Sequence, residues 1–280
     1  MQVLVTGGTG YVGRFIVAGL RGAGHRVTLL GRGPGARPWS LAETRPRLPP
    51  ADALVHAALD HAPGAYRGGE GDDPARFRRL NLDGTRALFE AAGDARIVFI
   101  SSRAVYGDHR RGETLRETDT PTPDSLYGEI KMAGEQALGP RGVALRPTGV
   151  YGGRPHKWEA LFAAYLRGVP IPPRLASEVH GEDVASAVLR LLGDTATGAF
   201  NVSDILIDRH DLLARVRALT GCPHPPPARA EGTPPGIMAT DRLRALGWRP
   251  GGVARLDAFL AEAARSPELH TSRGRLDRGT

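Results

Sequence analysis

The sequence predicts an α/β protein: a doubly wound parallel sheet followed by a small, mostly helical C-terminal lobe. Three observations carry this reading. Short apolar runs alternate with stretches of helical apolar spacing over the first hundred residues, as parallel βαβ units do. A glycine-rich turn lies between the first apolar run and the first helical stretch. Beyond Tyr151, strand-like runs become sparse and helical segments separated by proline-rich stretches take over.

The elements follow in order. Val3 to Thr6 is the first strand, and Tyr11 to Arg21 a helix with Val12, Phe15, Ile16 and Leu20 inward. Arg26 to Leu30 is a second strand. Gly33 to Pro50 is rich in Pro, Gly and Arg and leaves room for one short strand near Trp39 to Leu41. Ala53 to Ala58 is the next strand, and Pro74 to Ala92 a long helix with Phe77, Leu80, Leu88 and Phe89 at helical spacing. Arg96 to Ser101 reads as a strand, Ser125 to Leu138 as a helix and Val143 to Pro147 as a strand. In the lobe, Trp158–Arg167, Val184–Leu192, Asp208–Leu219 and Leu256–Ala264 read as helices. The expected division is 1–150 for a nucleotide-binding domain and 151–265 for a substrate lobe able to return a strand to the sheet. Residues 266–280 are expected to form a disordered tail.

Composition bounds the function. A hydrophobic content of 41% over 280 residues supports a real core and excludes a wholly disordered chain. The 37 glycines and 23 prolines form no Gly-X-Y repeat, which excludes collagen. No apolar run is long enough to span a membrane. Gln2 to Thr6 already reads as a buried strand, so a cleaved leader is not expected. Cys222 stands alone and offers neither an intramolecular disulfide nor a cysteine zinc site. His56, His61, His109 and His180 lack metal-ligand spacing, so no metal is expected. A soluble cytoplasmic protein is the expectation. The net charge of +7 raises nucleic acid as a partner, but the arginines are scattered and no nucleic-acid motif accompanies them. Of 37 basic residues only Lys131 and Lys157 are lysines; all the others are arginine.

Three motifs carry chemistry. Thr6-Gly7-Gly8-Thr9-Gly10-Tyr11-Val12-Gly13 follows a strand and opens a helix. Its glycines permit a tight turn, close approach to a pyrophosphate and close helix–strand packing, in the manner of a Rossmann-type dinucleotide site. The helix N-terminus favours the anionic phosphates. The second strand ends in Leu29-Leu30-Gly31-Arg32, where an acid would bind the 2′-hydroxyl of NAD and an arginine suits the 2′-phosphate of NADP. NADP is therefore favoured over NAD, an ordinary surface arginine being the alternative. Finally, Tyr127 and Lys131 lie four apart on one helical face, downstream of Ser101-Ser102 at a strand end. A phenol of ordinary pKa near 10 needs a neighbouring ammonium to exchange protons at neutral pH. In a chain nearly devoid of lysine, one of the two standing there is informative, because arginine is larger and planar.

On these residues the chain resembles the extended, epimerase/dehydratase-like branch of the short-chain dehydrogenase/reductase superfamily, over roughly residues 1–265. Val55-His56-Ala57-Ala58, Asn81-Leu82-Asp83-Gly84-Thr85 and Ser101-Ser102-Arg103-Ala104-Val105-Tyr106-Gly107 are similar to its motifs. So are Leu145-Arg146-Pro147-Thr148-Gly149-Val150-Tyr151-Gly152, His180-Gly181-Glu182-Asp183-Val184-Ala185, Asn201-Val202-Ser203 and Leu246-Gly247-Trp248-Arg249-Pro250. The resemblance implies Tyr127 as general acid/base, Lys131 on the nicotinamide ribose and Ser102 on the reacting oxygen. It implies a cofactor laid along Gly7, Thr9, Gly10, Tyr11, Val12 and Gly13 and past Arg32, Ala57, Asn81 and Pro147. Ser102, Arg103, Gly149 and His180 then fall on the substrate side. Asn81 could equally be a polar residue satisfying a helix irregularity. The family often dimerises through the helices expected at 74–92 and 125–138.

The chain also departs from the resemblance. Nucleotide-sugar enzymes of the branch usually carry Asn where Gly149 stands and Arg where Ala176 stands, both toward the sugar diphosphate; Arg174, two residues away, could substitute. A nucleotide sugar is thereby placed in doubt. The first reading is an NADP-dependent oxidoreductase acting on a hydroxyl or ketone of a small polar or sugar-like molecule. The second is an epimerase or dehydratase that retains its cofactor, with the small apolar Ala104 arguing against a dehydratase. The third is a non-catalytic NADP sensor, which would have no need of Ser102, Tyr127 and Lys131 together.

Overall fold

The structure, a computed structural model, describes residues 1–62, 69–140 and 142–265. The tail expected at 266–280 lies outside them. In chain order the elements are β1 (Gln2–Thr6), α1 (Gly13–Gly22), β2 (Arg26–Gly31), β3 (Arg37–Pro38), β4 (Ala53–His56) and α2 (Pro74–Arg78). A π-helical turn (Arg79–Asp83), α3 (Gly84–Ala91), β5 (Arg96–Ile100), a 3₁₀ turn (Arg103–Tyr106), β6 (Thr114–Leu115), α4 (Leu126–Gln136) and β7 (Val143–Pro147) follow. The chain continues as β8 (Gly149–Tyr151), α5 (Glu159–Leu166), β9 (Leu175–His180), α6 (Gly181–Leu192) and β10 (Gly198–Val202). It ends with β11 (Ile205–Asp208), α7 (Arg209–Thr220), β12 (Ile237–Met238), α8 (Asp241–Ala245) and α9 (Gly252–Ala264).

Seven strands form one parallel sheet in the order β3-β2-β1-β4-β5-β7-β10. β4 and β7 are buried at every residue, and β1 and β5 at all but the first. Strands covered on both faces are apolar throughout rather than alternating. One face packs under α1 and α6 around Ile16, Leu20, Val188 and Leu191. The other packs on Trp39, Leu88 and Phe89. The expected α/β architecture is therefore the observed one. Strand order reverses between β1 and β4, so a crevice opens beyond their C-terminal ends, where parallel α/β sheets hold ligands. A second core gathers Tyr151 of β8, Trp158 just before α5, Phe162 of α5 and Phe259 of α9.

Some elements differ from the sequence reading. The long helix from Pro74 is interrupted by the π turn at Arg79–Asp83. Polar side chains cover that irregularity: Asn81 Nδ2 donates to the Phe77 carbonyl (3.0 Å) and Thr85 Oγ1 to the Asn81 carbonyl (2.6 Å). The edge strand ends at Pro38, which has no N–H for the ladder, and Trp39 turns its side chain into the core. After Tyr151 the chain holds more strands than expected. β8, β9 and β11 form a small mixed sheet, and β12 pairs with β6. Cys222 is a buried core residue. Phe89 is buried in the core, and Met132 packs on Val105, Tyr106, Leu115 and Met238. Among the described residues no helix is long and apolar enough to cross a membrane.

Candidate active site

The glycine-rich turn links β1 to α1 at the reversal point. Gly7 has φ +66°, and a Cβ on it would lie 2.6 Å from the Ala57 carbonyl carbon. A Cβ on Gly13 would collide with the Gly7 carbonyl oxygen. Only glycine allows strand, turn and helix to close this tightly. The Gly10 amide closes the turn on the Gly7 carbonyl at 2.9 Å, and the Ala57 amide joins the Thr6 carbonyl at 3.2 Å. No side chain caps α1 beyond Val12 and no acid stands in its first turn. The N-terminal amides therefore face an end of positive potential that suits a phosphate. Thr9 and Gly10 are exposed on the turn, and the Tyr11 hydroxyl donates to the Gly152 carbonyl at 2.9 Å. Arg32 is exposed just past β2, in a loop whose Gly33 approaches the Thr9 methyl. These residues fit a dinucleotide.

The second half of the site is built by β5 and α4. Ser102 caps the 3₁₀ turn, its Oγ accepting from the Ala104 amide at 3.1 Å. Ser125 caps α4 in the same manner, accepting from the Gly128 amide at 3.2 Å. Gly128 lets α4 lie against the turn, since a Cβ there would sit 2.5 Å from the Ala104 carbonyl oxygen. This close approach sets α4, which carries Tyr127 and Lys131, against the turn that Ser102 caps. Tyr127 and Lys131 are both buried, and the Lys131 ammonium lies 5.8 Å from the centre of the Tyr127 ring. That ammonium donates to the Ile100 carbonyl at 2.8 Å. Burial pushes its pKa down to about 8, against the opposing charge of Glu135. His56 is buried between the Thr6 and Thr85 hydroxyls, and its pKa falls to about 3 through burial and then the Lys131 charge.

Glu135 was not singled out in the sequence, although it stands one turn beyond Lys131 on the same helical face. Its carboxylate accepts from Arg146 Nε (2.9 Å) and Nη2 (2.5 Å) and from the Ser101 hydroxyl. Arg146 Nη1 donates to the Tyr106 hydroxyl at 2.7 Å, and that hydroxyl to Asn201 Oδ1 at 2.9 Å. The network ties β5, β7, β10 and α4 together beneath the site.

Other sequence candidates are committed elsewhere. Asn81 accepts from the Asp60 amide (2.7 Å) and donates to the Asp60 and Phe77 carbonyls, so its amide latches a loop and the π turn. Arg103 pairs with Asp108 at 2.7 Å and reaches the Gly236 carbonyl. His180 caps α6, accepting from the Glu182 amide at 3.2 Å, with its ring against Tyr151 and Phe15. Pro147 ends β7 beside Val202, and Gly149 opens β8 opposite Glu178. Among the described residues no group of three or more His, Cys, Asp or Glu is placed to hold a metal.

Residues 3–203 match the model of the NAD dependent epimerase/dehydratase family. The chain belongs to that family. It is thus an enzyme of the extended short-chain dehydrogenase/reductase type, a group served by a nicotinamide dinucleotide. A UDP-glucose 4-epimerase of Yersinia pestis is 32% identical over 160 residues, covering 49% of this chain and 47% of that protein. The chain thus spans about half the length of that relative. A ceramide reductase of Caulobacter vibrioides is 29% identical over 259 residues, 86% of this chain and 76% of that protein. The structure of the Thermus thermophilus UDP-glucose 4-epimerase in complex with NAD is similar at a TM-score of 0.74 and 26% identity, covering 95% of this chain and 99% of that one.

Proposed function

We propose that the protein is an NADP-dependent oxidoreductase acting on a hydroxyl or ketone of a small polar or sugar-like molecule. The packing of α4, with Tyr127 and Lys131 on one face, against the turn capped by Ser102 after β5 supports this reading. When bound, the nicotinamide supplies or accepts a hydride. Tyr127 gives the proton to the carbonyl oxygen in reduction and takes it back in oxidation. Ser102, fixed by its cap, orients that oxygen. Lys131 holds a charge near the phenol in a site poor in water, where it stabilises the phenolate that forms as the proton leaves. Arg32 supplies the counter-charge for a 2′-phosphate, and Asn81 keeps the Asp60 loop in place. A homodimer through α3 and α4, in the cytoplasm, completes the reading.

A second reading, an epimerase that keeps its cofactor and returns the hydride to the same molecule, is favoured by the epimerase relatives. Unfolding the purified protein and identifying any released nucleotide by mass spectrometry separates the two. Empty protein that binds NADPH reversibly supports the oxidoreductase; stoichiometric bound dinucleotide supports the epimerase. In either case Tyr127→Phe should bind NADPH normally and lose turnover, and an active Tyr127→Phe would sink both.

A further inference from the structure

The second lysine of this arginine-rich chain stands against Gly149, a residue that the resemblance puts on the substrate side. Gly149 opens β8, and a Cβ on it would crowd the Glu178 carboxylate and the Lys157 ammonium, whose tips would have to shift. The two charged groups pair in the space that Gly149 leaves open. The Glu178 side chain is 6% exposed, whereas that of Lys157 is 28% exposed, so the pair is sunk on the carboxylate side and open on the ammonium side. The Tyr11 hydroxyl of the glycine-rich turn donates to the carbonyl of Gly152, the residue that follows β8, so the strand that Gly149 opens ends beside that turn. The Thr148 hydroxyl, buried and next in sequence to Gly149, has no hydrogen-bond partner. A sunken ion pair often returns less in attraction than its desolvation costs, so stability is a poor reason for keeping one here. An ammonium has three donors and one is given to Glu178, so others remain for a ligand.

We propose that Lys157 and Glu178 form the subsite that grips the neutral, hydroxyl-bearing end of the substrate and turns away a diphosphate. An adjacent donor and acceptor match a hydroxyl, which is both. The paired charges largely cancel at a distance, so an incoming anion gains less from Lys157 than it would from an unpaired lysine. Burial pushes the Glu178 pKa up and the Lys157 pKa down, as expected of groups that water no longer solvates fully.

This inference deepens the oxidoreductase reading and rests on it. The lysine count supplies the test. Full-length protein labelled with 13C at the lysine ε-carbon should give two lysine signals, assigned with Lys157→Arg. NADPH is added first and should move the Lys131 signal. With NADPH saturating, unphosphorylated ketoses of four to seven carbons should move the Lys157 signal, and UDP-glucose should not. In Glu178→Gln the lysine loses its counter-charge, and UDP-glucose should bind about tenfold more tightly than to the unchanged protein. The inference is overturned if no neutral ketose moves Lys157, if UDP-glucose moves it at lower concentration, or if Glu178→Gln brings no gain. A Lys131 signal deaf to NADPH would overturn the oxidoreductase reading itself, and this subsite with it.

Discussion

Lys131 and Lys157 are the same residue in two different electrical settings. Lys131 sits on a rigid helix, is 5% exposed, and has the neutral Ile100 carbonyl as its hydrogen-bond partner. The carboxylate one turn away, Glu135, is engaged by Arg146 and Ser101. Lys157 sits between β8 and α5 with its own carboxylate in contact. Burial depresses both pKa values. In the first setting the positive charge stays available to a neighbouring phenol. In the second it is cancelled, leaving a polar but neutral pair. In the proposed reading one lysine thus serves proton transfer and the other recognition, according to its partner.

The comparison can be broken at several points. The largest effect is expected at the proton itself. Tyr127→Phe should lower kcat by about a thousandfold in NADPH-dependent ketone reduction, with the NADPH Kd unchanged. A loss under tenfold would remove Tyr127 from the proton path. Next is the network that occupies Glu135. Glu135→Gln leaves Arg146, whose side chain is 5% exposed, without a counter-charge, and should cost about 3 kcal/mol in urea unfolding. A change below about 1 kcal/mol would show that water reaches the pair.

A subtler effect concerns pH. The proposed reduction needs Lys131 charged, and its pKa is lowered to about 8. The contribution of that charge to kcat/KM is therefore complete at lower pH and lost as pH rises through about 8. In Lys131→Arg the cation does not titrate, so a slower enzyme should lose this alkaline limb. An unchanged limb would assign it to another group. The smallest effect is expected just past β2, on the cofactor side. Arg32→Asp should lower the preference for NADPH over NADH by about tenfold, or 1.4 kcal/mol. A constant ratio would make Arg32 an ordinary surface residue.

The sheet was legible because β1, β4, β5 and β7 are buried on both faces and read as continuous apolar runs. Tyr127 and Lys131 were legible because helical spacing alone puts them on one face. The π turn was harder to see, since Phe77, Leu80, Leu88 and Phe89 keep helical spacing on both sides of it; Asn81 and Thr85 were the signal. The short strands after Tyr151 are two to six residues long, too brief for alternation to stand out. Glu135 could have been found by carrying the spacing one turn beyond Lys131. The Lys157–Glu178 pair joins residues 21 apart through the register of β8 and β9, which no local pattern encodes.

A fluorescence titration of the purified protein with NADPH and with NADH tests the central claim most directly. The account predicts saturable binding of both, tighter for NADPH, with Tyr127→Phe giving the same two curves. Failure of either dinucleotide to bind would contradict it, leaving the glycine-rich turn as a fold feature without a nicotinamide to serve.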